Sequence, residues 1–223
     1  MFKGVIFDFN GTLYEDTDLQ EEAWVILFRE VLHRDLTPDE FRNCLLGLGN
    51  ADILKYINSL DPEKQYEIGI TDDKEEIYRR LCRERPEQIT FLPGVTETLD
   101  ALKAAGIPIA IATASEITNV RFYIEFFNLG RWFQPEHIIY DDRTFPIKPA
   151  PDIYLRAAAR LGLDPSECVV CEDSANGIKA AIAAGAGRVI ARRSEPGSSV
   201  YDDPNIYAVI DNFRDFYPQY LEQ

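Results

Sequence analysis

Apolar and β-branched residues gather in short runs at residues 4–9, 107–112, 137–140, 168–171, 188–191 and 207–210. Continuous apolar runs of this length predict strands buried on both faces. Helical patterns lie between the later runs, at residues 94–105 after Pro93, 116–127, 151–161 and 175–184, each followed closely by a Gly or Asn stop. Strand and helix alternate, which predicts an α/β fold: a doubly wound parallel, Rossmann-like sheet.

The first run breaks this rhythm, because the whole stretch from Asn10 to Leu92 precedes the next strand–helix alternation. Within it, Leu19, Ala23, Ile26, Leu27 and Val31 form a helix-spaced stripe, and Ile53, Ile57 and Leu60 form another. Thr37-Pro38-Asp39-Glu40 carries a helix-start signal with proline in the first turn. The expected organisation is a core of residues 1–14 and 90–223 with an all-helical domain, residues 15–89, inserted after the first strand. A helical hairpin packed permanently on the sheet and binding nothing is the plainer alternative. Residues 194–203, rich in Ser, Pro, Gly and Asp, read as an exposed loop.

Composition narrows the function. The chain is 46% hydrophobic and 27% charged, which provides for a packed core and argues against disorder. Its 23 basic and 38 acidic side chains give a net charge of −15, which disfavours nucleic acid as a partner. A site for a phosphorylated metabolite would then need a metal ion or helix N-termini to reverse the local sign. No apolar run is long enough to span a bilayer, so no membrane partner is expected. Four sparse cysteines and the absence of a signal-like start point to the cytoplasm. Cys168 and Cys171 form a CxxC, but Val169 and Val170 make them buried strand residues in preference to a zinc or redox pair.

Candidate chemistry sits at four predicted strand ends, where open parallel sheets collect ligands. Asp8 ends the first run and can act as a nucleophile. Asn10, two residues on, would face the same pocket, and Gly11 lets the chain turn. Glu172 and Asp173 end the run at 168–171 and, with Asp8, offer hard oxygen ligands suited to Mg²⁺. Asp173 or Ser174 could instead simply cap the following helix. Thr113 and the backbone at Ala114 could hold phosphoryl oxygens, with Ser115 as helix cap. Lys148 precedes a proline-initiated helix and could point back to the strand ends or remain on the surface.

The ordered set Asp8-Phe9-Asn10-Gly11-Thr12, Thr113, Lys148 and Glu172-Asp173 resembles the haloacid dehalogenase superfamily, in its helical-cap phosphatase and β-phosphoglucomutase-like branch. The resemblance implies an aspartyl-phosphate on Asp8, with Thr113 and Lys148 on the phosphoryl oxygens and Lys148 also orienting Asp8. It implies Mg²⁺ held by Asp8, the Asn10 main-chain carbonyl and Asp173, with Glu172 in or near that set. The helical insertion matches the family's cap, which closes over small phosphorylated substrates. The expected enzyme is a phosphohydrolase, monomeric or homodimeric.

Asn10 departs from the phosphatase pattern, which places there an aspartate that acts as general acid and base. An amide does not shuttle a proton near neutral pH, and such groups contribute roughly 10²–10⁴-fold in rate. The expectation is a slow enzyme, one selective for good leaving groups, or one whose phosphoenzyme persists. A catalytically weak ligand-binding or regulatory protein is the competing expectation. A dehalogenase or phosphonatase-like enzyme is more distant, since the former works without metal and the latter needs a cap-loop lysine that residues 46–52 lack. Gln20 and Asn50 stand where β-phosphoglucomutase has a histidine and an arginine. With Gly47 they are the candidate specificity residues of the cap.

Overall fold

The computed structural model describes residues 2–46, 48–194 and 197–222. The chain divides into two compact units, Met1–Glu15 with Thr90–Gln223, and Asp16–Ile89. The first unit is built on a six-stranded sheet of β1 (Gly4–Phe7), β2 (Ile109–Glu116), β3 (Ile138–Asp141), β4 (Cys168–Glu172), β5 (Arg188–Arg192) and β6 (Ile206–Ile210). The strand order is β3-β2-β1-β4-β5-β6 and every pairing is parallel. This is the doubly wound order in which the central strand has neighbours on both sides and its carboxyl end opens onto a crevice.

Alternation along the strands explains the two covered faces. Ile6, Ala110, Ala112, Cys168, Val170, Val189 and Ala191 share one core with Ile153, Tyr154 and Ala157 of helix α7 (Asp152–Leu161) and Ile178 and Ala180 of α8 (Ala175–Ala183). Phe7 instead meets Phe213 and Phe216, with ring centroids about 6 Å apart at 6.1 and 6.0 Å. There Thr98 of α5 (Val95–Ala104) donates to the Phe213 carbonyl at 3.0 Å and ties the C-terminal segment to the sheet. The expectation of strands buried on both faces holds for the interior four. The edge strands β3 and β6 are only partly covered, because each has a neighbour on one side alone. Residues 194–203 are not wholly loop: Ser199–Asp202 forms a 3₁₀ turn, and residues 195 and 196 lie outside the described set.

The second unit is helical, with α1 (Thr17–Glu30), α2 (Pro38–Cys44), α3 (Asn50–Leu60) and α4 (Gly69–Glu84). Trp24, Leu27, Phe28, Phe41, Ile53 and Ile57 form its core. Thr37 and Glu40 make a reciprocal capping box at α2, a device worth about 1 kcal/mol. No helix of the described residues is long and apolar enough to cross a membrane. All four cysteines are free thiols, and Cys168 and Cys171 are buried in β4.

Candidate active site

The sheet register brings the candidate residues to one edge. Phe7 pairs with Ile111 on one side and Cys171 on the other, so Asp8, Ala112 and Glu172 follow at the same level. The Asp8 N–H continues the ladder by donating to the Cys171 carbonyl at 2.9 Å. Lys148, from the loop before α7, crosses this edge. Its Nζ donates to Asp8 Oδ1 at 2.6 Å, to Glu172 Oε1 at 2.6 Å and to the Ala112 carbonyl at 3.1 Å. All three of an ammonium's hydrogens are thereby used, and its direction is set by three strands at once.

Glu172 is fully buried and its oxygens are crowded with donors. Oε1 accepts from Lys148 and from the Tyr154 hydroxyl at 3.1 Å, and Oε2 accepts from the N–H groups of Asp173 and Ser174, both at 2.7 Å, and from Ser174 Oγ at 3.1 Å. The α8 turn closes directly over it: a Cβ on Gly177 would lie 1.6 Å from Glu172 Oε1. Ser174 caps α8 by accepting from the Gly177 N–H. The capping alternative thus describes Ser174. Asp173 is held elsewhere, with Thr12 Oγ1 donating to its Oδ1 at 3.0 Å.

One ligand atom each from Asp8, Glu172 and Asp173 lie within 4.8 Å of one another. Three carboxylates thus share a buried edge with one ammonium, Lys148. Burial, with the Glu172 charge adding to it against the Lys148 ammonium, pushes the Asp8 carboxyl up to about 7. Burial and then the Glu172 and Asp8 charges push Asp173 well up too. Burial works against the Lys148 ammonium, but Asp8 and Glu172 outweigh it and hold its pKa above the ordinary value. A set of oxygen donors with surplus negative charge out of water fits a hard divalent cation such as Mg²⁺.

Asn10 has different partners from Asp8. Its Nδ2 donates to the hydroxyls of Tyr14 and, at 3.0 Å, Tyr123, and its Oδ1 accepts from Ser115 Oγ at 3.1 Å. Ser115 is therefore not the helix cap expected from sequence. Strand β2 runs on through a bulge to Glu116, which is the cap residue of α6 (Ile117–Phe126), and the Ser115 side chain turns to Asn10. Thr113 is buried beside Ala112 and accepts from the Ser115 N–H at 3.1 Å, while Ala114 is exposed. Gly11 has φ +75°, and a Cβ there would lie 2.3 Å from Asp173 Oδ2.

The insertion's candidates belong to the second unit. Gln20, on α1, donates to Asp16 at 2.9 Å and accepts from Lys74 Nζ at 2.5 Å. Asn50 opens α3, and Gly47 lies outside the described residues. Sequence reasoning missed Lys74, a buried cation of α4 that also pairs with Glu75 at 2.6 Å and lies over the Trp24 ring. It missed Tyr154 as well, whose ring lies 5.1 Å from Lys148 Nζ. Tyr154 falls within the helix expected at residues 151–161. Its place in the first turn after Lys148 was the available signal.

The parallel sheet and its acidic, lysine-braced strand ends are those of a Rossmann-like α/β enzyme. A sequence profile described as haloacid dehalogenase-like hydrolase matches residues 2–185. The chain belongs to that family. Hexitol phosphatase A of Escherichia coli is 33% identical over 183 residues, covering 82% of this chain and 80% of the relative. The plasmid-borne protein CbbY of Cupriavidus necator is 30% identical over 197 residues, covering 84% and 77%. The crystal structure of a family IA, variant 3 hydrolase from Entamoeba histolytica superposes with a TM-score of 0.88 at 33% identity, covering 98% of this chain and 97% of that one.

Proposed function

We propose that this protein is a Mg²⁺-dependent phosphatase of small phosphorylated metabolites, sugar phosphates foremost, with Asp8 as nucleophile. The observation that carries the reading is the Lys148–Asp8 pair at 2.6 Å, set at a strand end with Asp173 within ligand distance. The sugar-phosphate class is supported by the likeness to hexitol phosphatase A.

Asp8 and Asp173 side chains, with the Asn10 main-chain carbonyl, would hold Mg²⁺. Glu172, its oxygens already taken, holds Lys148 and the 173–174 backbone in place. The bound ion supplies positive charge that lets an anionic substrate approach an anionic nucleophile. An Asp8 carboxylate oxygen attacks phosphorus as the bond from phosphorus to the leaving oxygen breaks. Water then attacks the phosphorus of the aspartyl-phosphate, the bond to Asp8 breaks, and inorganic phosphate leaves. Lys148 stays protonated throughout and, with Thr113 and the Ala114 N–H, stabilises the phosphoryl oxygens.

The leaving oxygen needs a proton that the Asn10 amide does not give, so it departs as an anion or takes one from water. Substrates with weakly basic leaving groups are favoured, and the phosphoenzyme is long-lived. Gln20, Asn50 and Gly47 are assigned to substrate selection. The test is a panel of phosphomonoesters with and without Mg²⁺, run on wild type and Asp8→Asn. Mg²⁺-dependent turnover lost in Asp8→Asn is expected, and activity that survives the substitution sinks the mechanism. Mg²⁺-dependent ligand binding without turnover would instead favour the regulatory alternative that Asn10 raises.

A further inference from the structure

Arg192 is the last residue of β5 and carries a side chain only 9% exposed. One of its nitrogens, Nη1, donates both to the Gly11 carbonyl at 2.9 Å and to Glu15 Oε2 at 2.6 Å. Its buried Nε has no hydrogen-bond partner. A guanidinium with an orphaned donor is not placed for its own satisfaction, so the two bonds from Nη1 define what it does.

Those bonds grip both ends of residues 11–15. Inside that turn the Gly11 N–H donates to the Tyr14 carbonyl at 2.9 Å, and the buried Thr12 hydroxyl donates to Asp173 Oδ1 at 3.0 Å. Gly11 also packs so tightly on Asp173 that a Cβ would lie 2.3 Å from Oδ2. Asp173 is thus seated by a turn whose own position is set from β5. The next residue but one along, Ser194, reaches the Asp173 carbonyl with its Oγ at 3.5 Å, so the same strand end approaches Asp173 twice.

We propose that Arg192 is a positioning residue for the 11–15 turn and, through Gly11 and Thr12, for the Asp173 carboxylate as a Mg²⁺ ligand. This rests on the reading of Asp173 given above. Partners that orient metal ligands from behind typically change metal affinity by about 10–100-fold when removed. Lysine keeps the charge and can donate both bonds from its one nitrogen, but it lacks the planar group that fixes the direction of Nη1, so it reproduces the double grip only in part.

The test is calorimetric titration of Mg²⁺ into the full chain, for wild type, Arg192→Ala, Arg192→Lys and Glu15→Gln, with thermal unfolding and Mg²⁺-dependent kinetics alongside. Arg192→Ala should bind Mg²⁺ about 10–100-fold more weakly, with kcat at saturating Mg²⁺ reduced far less, and Arg192→Lys should recover part of the affinity. A purely structural role would lower the Tm and leave Mg²⁺ affinity alone. Folded Arg192→Ala that binds within about twofold of wild type overturns the proposal. If that variant does not fold, wild-type affinity in both Arg192→Lys and Glu15→Gln overturns it. Absence of Mg²⁺ binding by wild type removes the proposed function and this inference together, whereas wild-type binding matched by every variant removes this inference alone.

Discussion

Asn10→Asp exchanges an amide for a carboxylate of almost identical shape, in surroundings that can accept either. Tyr14, Tyr123 and Ser115 each meet the Asn10 side chain with a hydroxyl. A hydroxyl rotates to donate or to accept, so both phenols can turn from accepting the amide hydrogens to donating toward a carboxylate. Hydrogen bonds to a charged acceptor contribute roughly 1.5–3 kcal/mol each, which offsets the several kcal/mol cost of burying a further anion. The substitution should therefore leave the fold intact, with a Tm change of a few degrees. The new carboxyl can give its proton to the leaving alkoxide in the first step and, once ionised, serve as base for the attacking water in the second.

A positioned acid–base group supplies roughly 10²–10⁴-fold in rate, equivalent to about 3–5 kcal/mol of barrier. The assay is steady-state and single-turnover hydrolysis of an alkyl phosphate and an aryl phosphate, with saturating Mg²⁺ and acid-quench detection of phosphoenzyme. Alkyl phosphate turnover should rise by about 10²-fold or more and the phosphoenzyme should shorten its life. Aryl phosphate should gain less, because its leaving group needs no proton. A folded variant whose alkyl phosphate turnover rises less than about tenfold refutes the reasoning that Asn10 limits the rate.

Burial holds the Asp8 carboxyl up to about 7 and Asp173 also upward, so each binds its proton more tightly folded than unfolded. In the Mg²⁺-free protein the contribution of these two groups to stability should be fully present below the unfolded carboxyl range near 3.8 and be lost as pH rises through about 7. The slope approaches about 1.4 kcal/mol per pH unit for each whole proton. Thermal unfolding in a chelator across this window should fall, and added Mg²⁺ should restore stability most above pH 7; a chelated Tm that stays flat contradicts the acidic cluster as drawn. Gly11→Ala should disrupt the site beyond the roughly 1–2 kcal/mol of its left-handed backbone, because the new Cβ collides with Asp173. Gly162→Ala, at φ +70° with nothing within 4 Å, carries the backbone cost alone, and equal losses of Mg²⁺ binding in the two variants would contradict the close seat of Asp173 on Gly11.

Much of this architecture was legible in the chain because it is written locally. Continuous apolar runs mark strands covered by helices, and the run 168–171 reappears as β4 with the carboxylates of Glu172 and Asp173 at its end. The Thr37–Glu40 signal is a capping box within four consecutive residues, so no distant contact was needed to read it. The strand-end positions of Asp8 and Glu172 followed from the parallel topology that such alternation imposes, whereas Thr113 lies within β2, which runs on to Glu116.

Residues whose role depends on distant partners were not legible. Ser115 looked like a helix cap because local spacing allowed it, and only the bulge that carries β2 to Glu116 turned its hydroxyl toward Asn10. Tyr123 and Tyr154 fall inside expected helices and Arg192 just past the expected strand at residues 188–191. Their polar atoms acquired meaning only when Glu172, Asn10 and Gly11 were brought against them from far along the chain. The amino-acid sequence by itself determined the alternating α/β fold, the helical insertion and which strand ends bear carboxylates, because hydrophobic periodicity is a property of neighbours. Only the tertiary structure decided how Glu172 spends its oxygens, how Asn10 is held and what Arg192 grips, because hydrogen bonds close over a few ångströms in space whatever their separation in sequence.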